Sequence, residues 1–336
     1  MKKLAVLLPT YNAAPYLKES VDSILNQTFA DFDLYIFDDC STDSTSEILS
    51  EYKDTRLHYR KNLKNIGIAK TLNKGLEELL PLYEFIARMD ADDWAYPERF
   101  KKQLDYLEQH QEVVLCGTQG YWIKDMTQNP ISGWKYPVSY EYIKIYLLFA
   151  ATFGHSSVMI RGYFFNKHNL IYNETISTCE DWDLWIRVAK LGKISNLPDF
   201  MMKYRILENS NHRSPQKIYK HLQERSKIIS EYWTAFDIEL SSEQIFDFYY
   251  NEKQISNAEF INNCKVLIQA FNSLYENSCQ ELSFEEKRSF SYMLARKILN
   301  YWKRSKVSRI DAVIWWTIVK EVRFMNKMKL IKSIIR

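Results

Sequence analysis

Short apolar runs that stop at a polar loop and are followed by an amphipathic helical stretch recur through the first hundred residues. This alternation limits the fold more than any other feature of the sequence. Leu4 to Leu8 is stopped by Pro9-Thr10-Tyr11-Asn12, after which Tyr16 or Leu17, Val21, Ile24 and Leu25 recur at helical spacing behind Pro15. Leu34-Tyr35-Ile36-Phe37 runs into Asp38-Asp39-Cys40-Ser41-Thr42-Asp43 and a helix carrying Ile48 and Leu49. A third run, Leu57 to Tyr59, leads through Asn62-Leu63-Lys64-Asn65-Ile66-Gly67 to a helix with Ile68, Leu72, Leu76 and Leu79. A fourth, Tyr83 to Ala87, ends at Arg88-Met89-Asp90-Ala91-Asp92-Asp93-Trp94, ahead of a helix starting at Pro97. Strands alternating with helices in this way predict an α/β fold, a mostly parallel twisted sheet flanked by helices.

The loops at the strand ends carry carboxylates rather than glycine-rich phosphate cradles. Neither Gly-x-Gly-x-x-Gly nor Gly-x-x-x-x-Gly-Lys-Ser/Thr occurs among them, which speaks against a dinucleotide enzyme or a P-loop NTPase. Asp90, Asp92 and Asp93 put three carboxylates within four residues at the carboxyl end of a strand, where α/β folds place their ligand crevices. Such crowding raises each pKa unless a cation compensates, and a hard divalent ion with oxygen ligands is the usual remedy. The plain alternative is a solvated acidic turn. Asp39 could accept hydrogen bonds from a base or sugar and Tyr11 could stack on a ring, while an N-cap or Asx turn before Ser44 explains Asp39 equally well.

Another strand is expected over Val113 to Gly120, then an aromatic-rich stretch through Trp134, Tyr136 and Tyr146, and a loop entering a strand from Phe153 to Arg161. His155 in that loop has the ordinary reading of a satisfied structural histidine. Around Thr178 to Arg187, Trp182, Trp185, Ile186 and Ala189 share a helical face, and Gly192 sits where a C-cap belongs. Glu180 and Asp181 thus fall in a first helical turn, where the macrodipole favours the ionised form and suits a general base. Thr178 with Asp181 three residues later also resembles a capping box.

After the run Phe200 to Arg205 the composition changes near Pro215. Segments around 215 to 235, 241 to 251, 255 to 276, 284 to 302 and 309 to 331 carry apolar residues every three to four positions and predict an all-helical region. The net charge of +3 is too small to imply nucleic-acid binding, yet ten Lys and Arg fall between Tyr301 and Arg336 against Asp311 and Glu321. Mixed with Trp315, Trp316 and many aliphatic residues, this basic end has the makings of a helix lying on an anionic membrane surface; a helical bundle or an oligomer interface is the alternative. No stretch approaches the roughly 18 uncharged apolar residues of a spanning helix. The five cysteines lack metal-binding spacing or a disulfide framework, and a reduced, cytoplasmic compartment, peripheral to the inner face of the membrane, is expected.

Taken together, residues 1 to about 213 resemble the inverting family 2 glycosyltransferases of the GT-A fold, of the bacterial surface-polysaccharide type. The resemblance rests on Leu8-Pro9-Thr10-Tyr11-Asn12, Gln27-Thr28-Phe29, Asp38-Asp39 with Ser41-Thr42-Asp43, Asn65-x-Gly67 with Asn73-x-Gly75, Asp90-Ala91-Asp92-Asp93, His155-x-x-Val158-Met159, Glu180-Asp181 and Tyr204-Arg205, in the family's order. It implies a catalytic domain over 1–213, with 214–336 a helical region outside the likeness. It implies that Thr10, Tyr11, Asp39, Asn65, Gly67, Asp90, Ala91 and Asp92 hold a nucleotide-sugar, with Tyr11 and Asp39 on the base, usually uracil. Asp90 then lies near the ribose and Asp92 on a divalent cation, Mn²⁺ or Mg²⁺, with Asp90 and Asp93 as further ligands. Asp181, beside Glu180, becomes the base that deprotonates the acceptor hydroxyl of a glycan or lipid-linked oligosaccharide, and His155 and Arg205 lie on the acceptor or diphosphate side. Cys40 departs from the glycine common after the paired aspartates, which puts that turn's backbone in question.

Two readings compete with this one. A noncatalytic nucleotide-sugar-binding or scaffold subunit would not need Asp90, Asp92 and Asp181 intact. A nucleotidylyltransferase would need a glycine-rich loop where Leu8 to Ala13 stands.

Overall fold

The computed structural model describes residues 2–124, 130–176, 178–206, 215–250, 252 and 254–305. The chain forms two compact units, Met1–Asn211 and His212–Arg336.

The first unit begins with β1 (Lys2–Thr10), α1 (Ala14–Leu25), β2 (Phe32–Asp38), α2 (Thr45–Ser50), β3 (Leu57–Lys61), α3 (Ile68–Leu79) and β4 (Tyr83–Arg88). β5 (Trp94–Ala95), α4 (Arg99–Gln109), β6 (Val113–Ile123), β7 (Ser132–Trp134) and α5 (Tyr140–Tyr146) follow. A 3₁₀ turn at His155–Ser157, β8 (Met159–Arg161), α6 (Gly162–Lys167), α7 (Glu180–Ala189) and β9 (Lys193–Arg205) complete it. The strands make one sheet in the order β3-β2-β1-β4-β8-β6-β9-β5, with β7 paired to β6.

The half built from the alternating repeat is parallel throughout: β1 pairs with β2 and β4, and β2 with β3. The other half is mixed. β8 runs antiparallel between β4 and β6, β6 and β9 are parallel, and β5 returns antiparallel on β9. Crossing helices cover the parallel half, so its inner strands β1, β2 and β4 are buried on both faces and can be almost continuously apolar, while the edge strand β3 is half exposed; Leu4 to Leu8 are each at most 1% exposed. Gly75 lets α3 lie close on β1, because a Cβ there would come within 2.3 Å of Leu7 Cδ1.

All the parallel strands end on one side of the sheet, which delivers Tyr11, Asp39 and the Asp90–Asp93 loop to the same edge. Polar side chains on the inner face of α1 and just past its end tie that edge together. Ser20, Ser23 and Gln27 recur at helical spacing and are all nearly inaccessible. Ser20 Oγ donates to Asp90 O at 3.0 Å, Ala95 N donates to Ser23 Oγ at 3.2 Å, and Gln27 Nε2 donates to Tyr96 O at 2.8 Å. Thr28 N donates to Pro97 O at 2.8 Å, so α4 starts at Arg99 rather than Pro97.

The second unit is helical among its described residues: α8 (Pro215–Trp233), a 3₁₀ turn Thr234–Phe236, α9 (Ser242–Tyr249), α10 (Asn257–Ser278) and α11 (Phe284–Arg304). Capping boxes start α9 (Ser241, Gln244) and α11 (Ser283, Glu286). Trp233, Phe260, Phe271 and Phe290 fill the core. The expected helix over 309 to 331, with most of the basic segment, lies outside the described residues.

Candidate active site

The centre of the site is the bend after β4. Arg88, the last residue of that strand, is buried and grips both carboxylate oxygens of Asp90 in a two-pronged ion pair. Ser156, brought by the 3₁₀ turn before β8, donates to Asp90 Oδ2 at 2.7 Å and lies in hydrogen-bond contact with Asp93 Oδ2. Asp90, Asp92 and Asp93 each offer an oxygen within 4.8 Å of the others.

The three carboxylates are not equivalent. Asp93 is 1% exposed, and its other oxygen accepts the Arg205 N–H at 3.0 Å. Burial, then Asp90 and Asp92, push its carboxyl well above the usual range. With both oxygens in hydrogen bonds, Asp93 also supports the bend, while it stays within reach of the cation position that Asp90 and Asp92 outline. Asp92 differs: the one donor to its carboxylate among the described residues is its own amide, and Arg88 and Arg205 act on it only through their charge. Burial and the charge of Asp90 raise it to about 6. A half-buried carboxylate with so little compensation suits a hard cation as first ligand, with Asp90 turned toward Arg88 beside it.

Arg205 is tied to the acidic bend and to α1. Its Nε donates to Asp92 O at 3.1 Å, Nη2 pairs with Glu19, and the guanidinium lies 4.5 Å from the centre of the Tyr16 ring. It anchors the backbone of the acidic bend to α1. His155 is likewise engaged: its ring shares a 2.8 Å hydrogen bond with Tyr172 Oη and stands edge-on to Trp185, 5.9 Å between centres. Burial, with the charge of Arg88, pushes its pKa well below normal, so it is a neutral imidazole.

Tyr172 carries no signal in the sequence that marks it as part of the site. Buried, and with its hydroxyl pKa raised by that burial, it feels Arg88, Asp181, Glu180 and Asp90 together. Asn73 holds it in place: Nδ2 donates to Tyr172 O at 2.9 Å and Oδ1 accepts Tyr172 N at 2.8 Å. The Asn73-x-Gly75 pair is thus a clamp and a close-packing position on α3.

Glu180 and Asp181 open α7, as expected, but Cys179 is the N-cap and no side chain caps the helix, so Thr178 forms no capping box. Trp182 Nε1 reaches Leu147 O at 3.0 Å and fixes the helix start, and Asp181 Oδ1 accepts Trp182 N at 2.7 Å. Burial and the adjacent Asp181 raise Glu180 to about 7; burial also raises Asp181, partly offset by the Trp182 N–H and Arg88. The helix terminus therefore does not keep these groups unusually acidic, because desolvation outweighs the macrodipole. Asp90 acts on both, which places the α7 carboxylates and the β4 bend around one space.

On the other flank, Asp39 is neither an N-cap nor an Asx turn. Its Oδ1 accepts Asn62 Nδ2 at 3.0 Å and Ile66 N at 2.9 Å, and its Oδ2 accepts Gly67 N at 2.8 Å, so it organises the loop before α3. Gly67 is required there by φ +88°. Asp38 makes the turn instead, accepting Ser41 N at 2.7 Å. Thr10 O accepts Asp39 N at 2.8 Å, and Asn12, at φ +50°, takes Ser41 Oγ on its amide at 2.9 Å. Tyr11 is half exposed, and Asn65 is exposed on the loop that Asp39 organises.

Cys40 adopts φ +67°, the left-handed conformation that a glycine takes without strain. Its thiol has a weak contact to Leu63 O at 3.8 Å. Cys40→Gly is expected to stabilise the protein by about 0.5–1 kcal/mol in urea denaturation, the relief of strain exceeding the added freedom of the unfolded chain. A destabilised variant would show that the thiol contact outweighs the strain.

A model of the family described as "Glycosyl transferase family 2" matches residues 5–169. A Haemophilus influenzae protein named as a glycosyltransferase is 31% identical over 229 residues, 66% of this chain and 69% of the relative. One from Methanocaldococcus jannaschii is 34% identical over 228 residues, 65% and 77% of the two chains. The chain belongs to glycosyl transferase family 2. The amylovoran biosynthesis glycosyltransferase AmsE of Erwinia amylovora is 31% identical over 210 residues, 60% of this enzyme and 75% of the relative. Among solved structures, S. aureus TarS 1–349 in complex with UDP superposes with a TM-score of 0.57 at 19% identity, covering 92% of this chain and 94% of that one. The same TarS segment in complex with UDP-GlcNAc gives 0.57 at 17% identity, covering 99% and 88%. These likenesses carry the GT-A-like fold, a mixed sheet flanked by helices with a helical C-terminal region.

Proposed function

We propose that this glycosyltransferase moves a sugar from a UDP-sugar to a hydroxyl of a glycan or lipid-linked oligosaccharide, with inversion to a β-glycoside. The observation that carries the reading is the arrangement of two carboxylate groups around one space. The β4 bend offers Asp92, a carboxylate suited to a cation, and α7 offers Asp181 beside Glu180, raised toward neutrality. Direct displacement needs that pairing: stabilisation of the departing diphosphate on one side and a proton acceptor for the attacking hydroxyl on the other. The UDP and UDP-GlcNAc complexes of TarS and the naming of AmsE for amylovoran biosynthesis support the donor and acceptor classes.

Residues 1–213 form the catalytic domain in this reading. Asp92, with Asp90 beside it, would hold a divalent cation that, when bound, acts as a Lewis acid on the diphosphate. Asp39 shapes the base pocket through its three hydrogen bonds, leaving Tyr11 to cover the ring, and Thr10, Asn65, Gly67 and Ala91 present backbone and small groups along the donor's path. Asp181, fixed by the Trp182 N–H, takes the acceptor proton. Arg88 holds Asp90, and Tyr172 with His155 closes the floor between the two carboxylate groups. The deciding experiment is turnover against a panel of nucleotide-sugars with a glycan acceptor: UDP release with one donor and a β-linked product is expected. Pyrophosphate release, an α-linked product, or binding without turnover overturns the reading, the last favouring a noncatalytic donor-binding subunit.

A lipid-linked acceptor accords with the basic, aromatic-rich end of the sequence, and peripheral attachment through residues 296 to 336 follows from this proposal. Full-length protein should float with anionic vesicles at low salt and be released at high salt, whereas a chain ending near Ser283 should not float. Equal, salt-insensitive behaviour of the two refutes membrane attachment.

A further inference from the structure

The helical unit carries a groove of about 310 Å³ between α8 and α9. Tyr219 and Gln223 line it from one face of α8, and Glu243, Phe246 and Asp247 from one face of α9. The Tyr219 ring is 55% exposed and stands against Phe246 at 5.4 Å between centres, 71° from coplanar, so Phe246 buttresses it while leaving it accessible. A supported, exposed aromatic face is what the C–H face of a sugar ring packs against.

The polar groups beside it complete the match. Gln223 is exposed and offers amide donors and an acceptor. Glu243 is exposed and ionised, its carboxyl held below the normal range by its own amide and then by Ser241 and Ser242; Ser242 Oγ donates to Glu243 Oε1 at 3.2 Å. An ionised carboxylate accepts two vicinal hydroxyls without needing a counter-charge. The position of Glu243 is built in, because the Ser241–Gln244 capping box fixes the first turn of α9. Among the described residues, the lining includes two carboxylates and no lysine or arginine. A phosphate, a uronic acid or the donor nucleotide would therefore be repelled, and the chemistry selects a neutral glycan. At about 300 Å³ the groove is at the small end of ligand pockets, room for a short stretch of a chain.

We propose that this groove is a secondary binding site for a neutral segment of the acceptor glycan, holding the polymer on the helical unit. The proposal rests on the glycosyltransferase reading for its ligand class, but it is tested independently of catalysis. The probe is a panel of neutral oligosaccharides of glucose, galactose, mannose and N-acetylhexosamines, titrated by ligand-observed NMR against the full chain carrying Asp92→Asn. At least one member is expected to bind, unaffected by salt. Adding Tyr219→Ala should weaken it about tenfold, while Tyr219→Phe, which keeps the ring, should not. Glu243→Gln should also weaken it, with the thermal melt of each variant confirming the fold. The proposal is overturned if no member of the panel binds or if binding ignores Tyr219→Ala. Loss of turnover in other assays bears on the catalytic reading and leaves this result standing.

Discussion

Asp92→Asn is expected to lower turnover by at least about 10²- to 10³-fold, the scale for removing a group that stabilises charge developing in the transition state, and at the same time to make the protein more stable. The two effects have one cause. Asp92 is raised to about 6 by burial and by Asp90. A carboxyl whose folded pKa exceeds its unfolded value binds its proton more tightly when native. The native state is therefore favoured in acid and loses that advantage as pH rises from about 4 through about 6. At neutral pH the ionised Asp92 costs on the order of 3 kcal/mol, which the amide removes. Mn²⁺ should raise the melting temperature of the wild type and not of the variant, because a ligand stabilises only the state that binds it. Activity surviving both chelation and Asp92→Asn, or an equal shift by Mn²⁺ in both proteins, rules out the cation at this position.

The second large effect is expected at Asp181. Removing a positioned base costs about 10²- to 10⁴-fold in rate with donor binding retained. Asp181→Asn should leave the fold intact, because an amide oxygen still accepts the Trp182 N–H that Asp181 Oδ1 takes at 2.7 Å and no side-chain cap depends on it. In the wild type, kcat/KM should fall in acid, as Glu180, raised to about 7, and Asp181, also raised by burial, take up protons as a coupled pair. Glu180→Gln removes a like charge beside Asp181 and should move the acid limb to lower pH while keeping most of the turnover. Near-normal turnover in Asp181→Asn, with loss in Glu180→Gln, would exchange the two roles.

The alternation of apolar runs and helices was enough to place β1 to β4 and the loops at their ends, because a strand buried on both faces must be apolar throughout and its polar residues then concentrate where the chain turns. β5 was a different matter. It is two residues long, shorter than any period that a pattern can show, and it is a strand only because β9 lies beside it. The polar set Ser20, Ser23 and Gln27 did leave a trace, a polar repeat on the apolar side of α1 that runs past its end, but its meaning depends on the Asp90–Pro97 segment to which all three bond.

Local sequence by itself determined that a carboxylate-rich bend closes the fourth strand and that Glu180 and Asp181 begin a helix. Those facts depend on residues a few positions apart. Which carboxylates can act was decided by tertiary structure. Asp93 is taken up by Ser156, 63 positions away, and by the backbone of Arg205, 112 positions away, whereas Asp92 keeps no such partner among the described residues. Asp38 and Asp39 are neighbours in sequence, yet one closes its own turn and the other collects donors from a loop 23 to 28 positions on. The helix terminus alone misleads about the ionisation of Glu180 and Asp181 for the same reason. A terminal dipole is a local property, but the loss of water around a carboxylate is imposed by every element packed near it, and in this site that desolvation overrides the dipole.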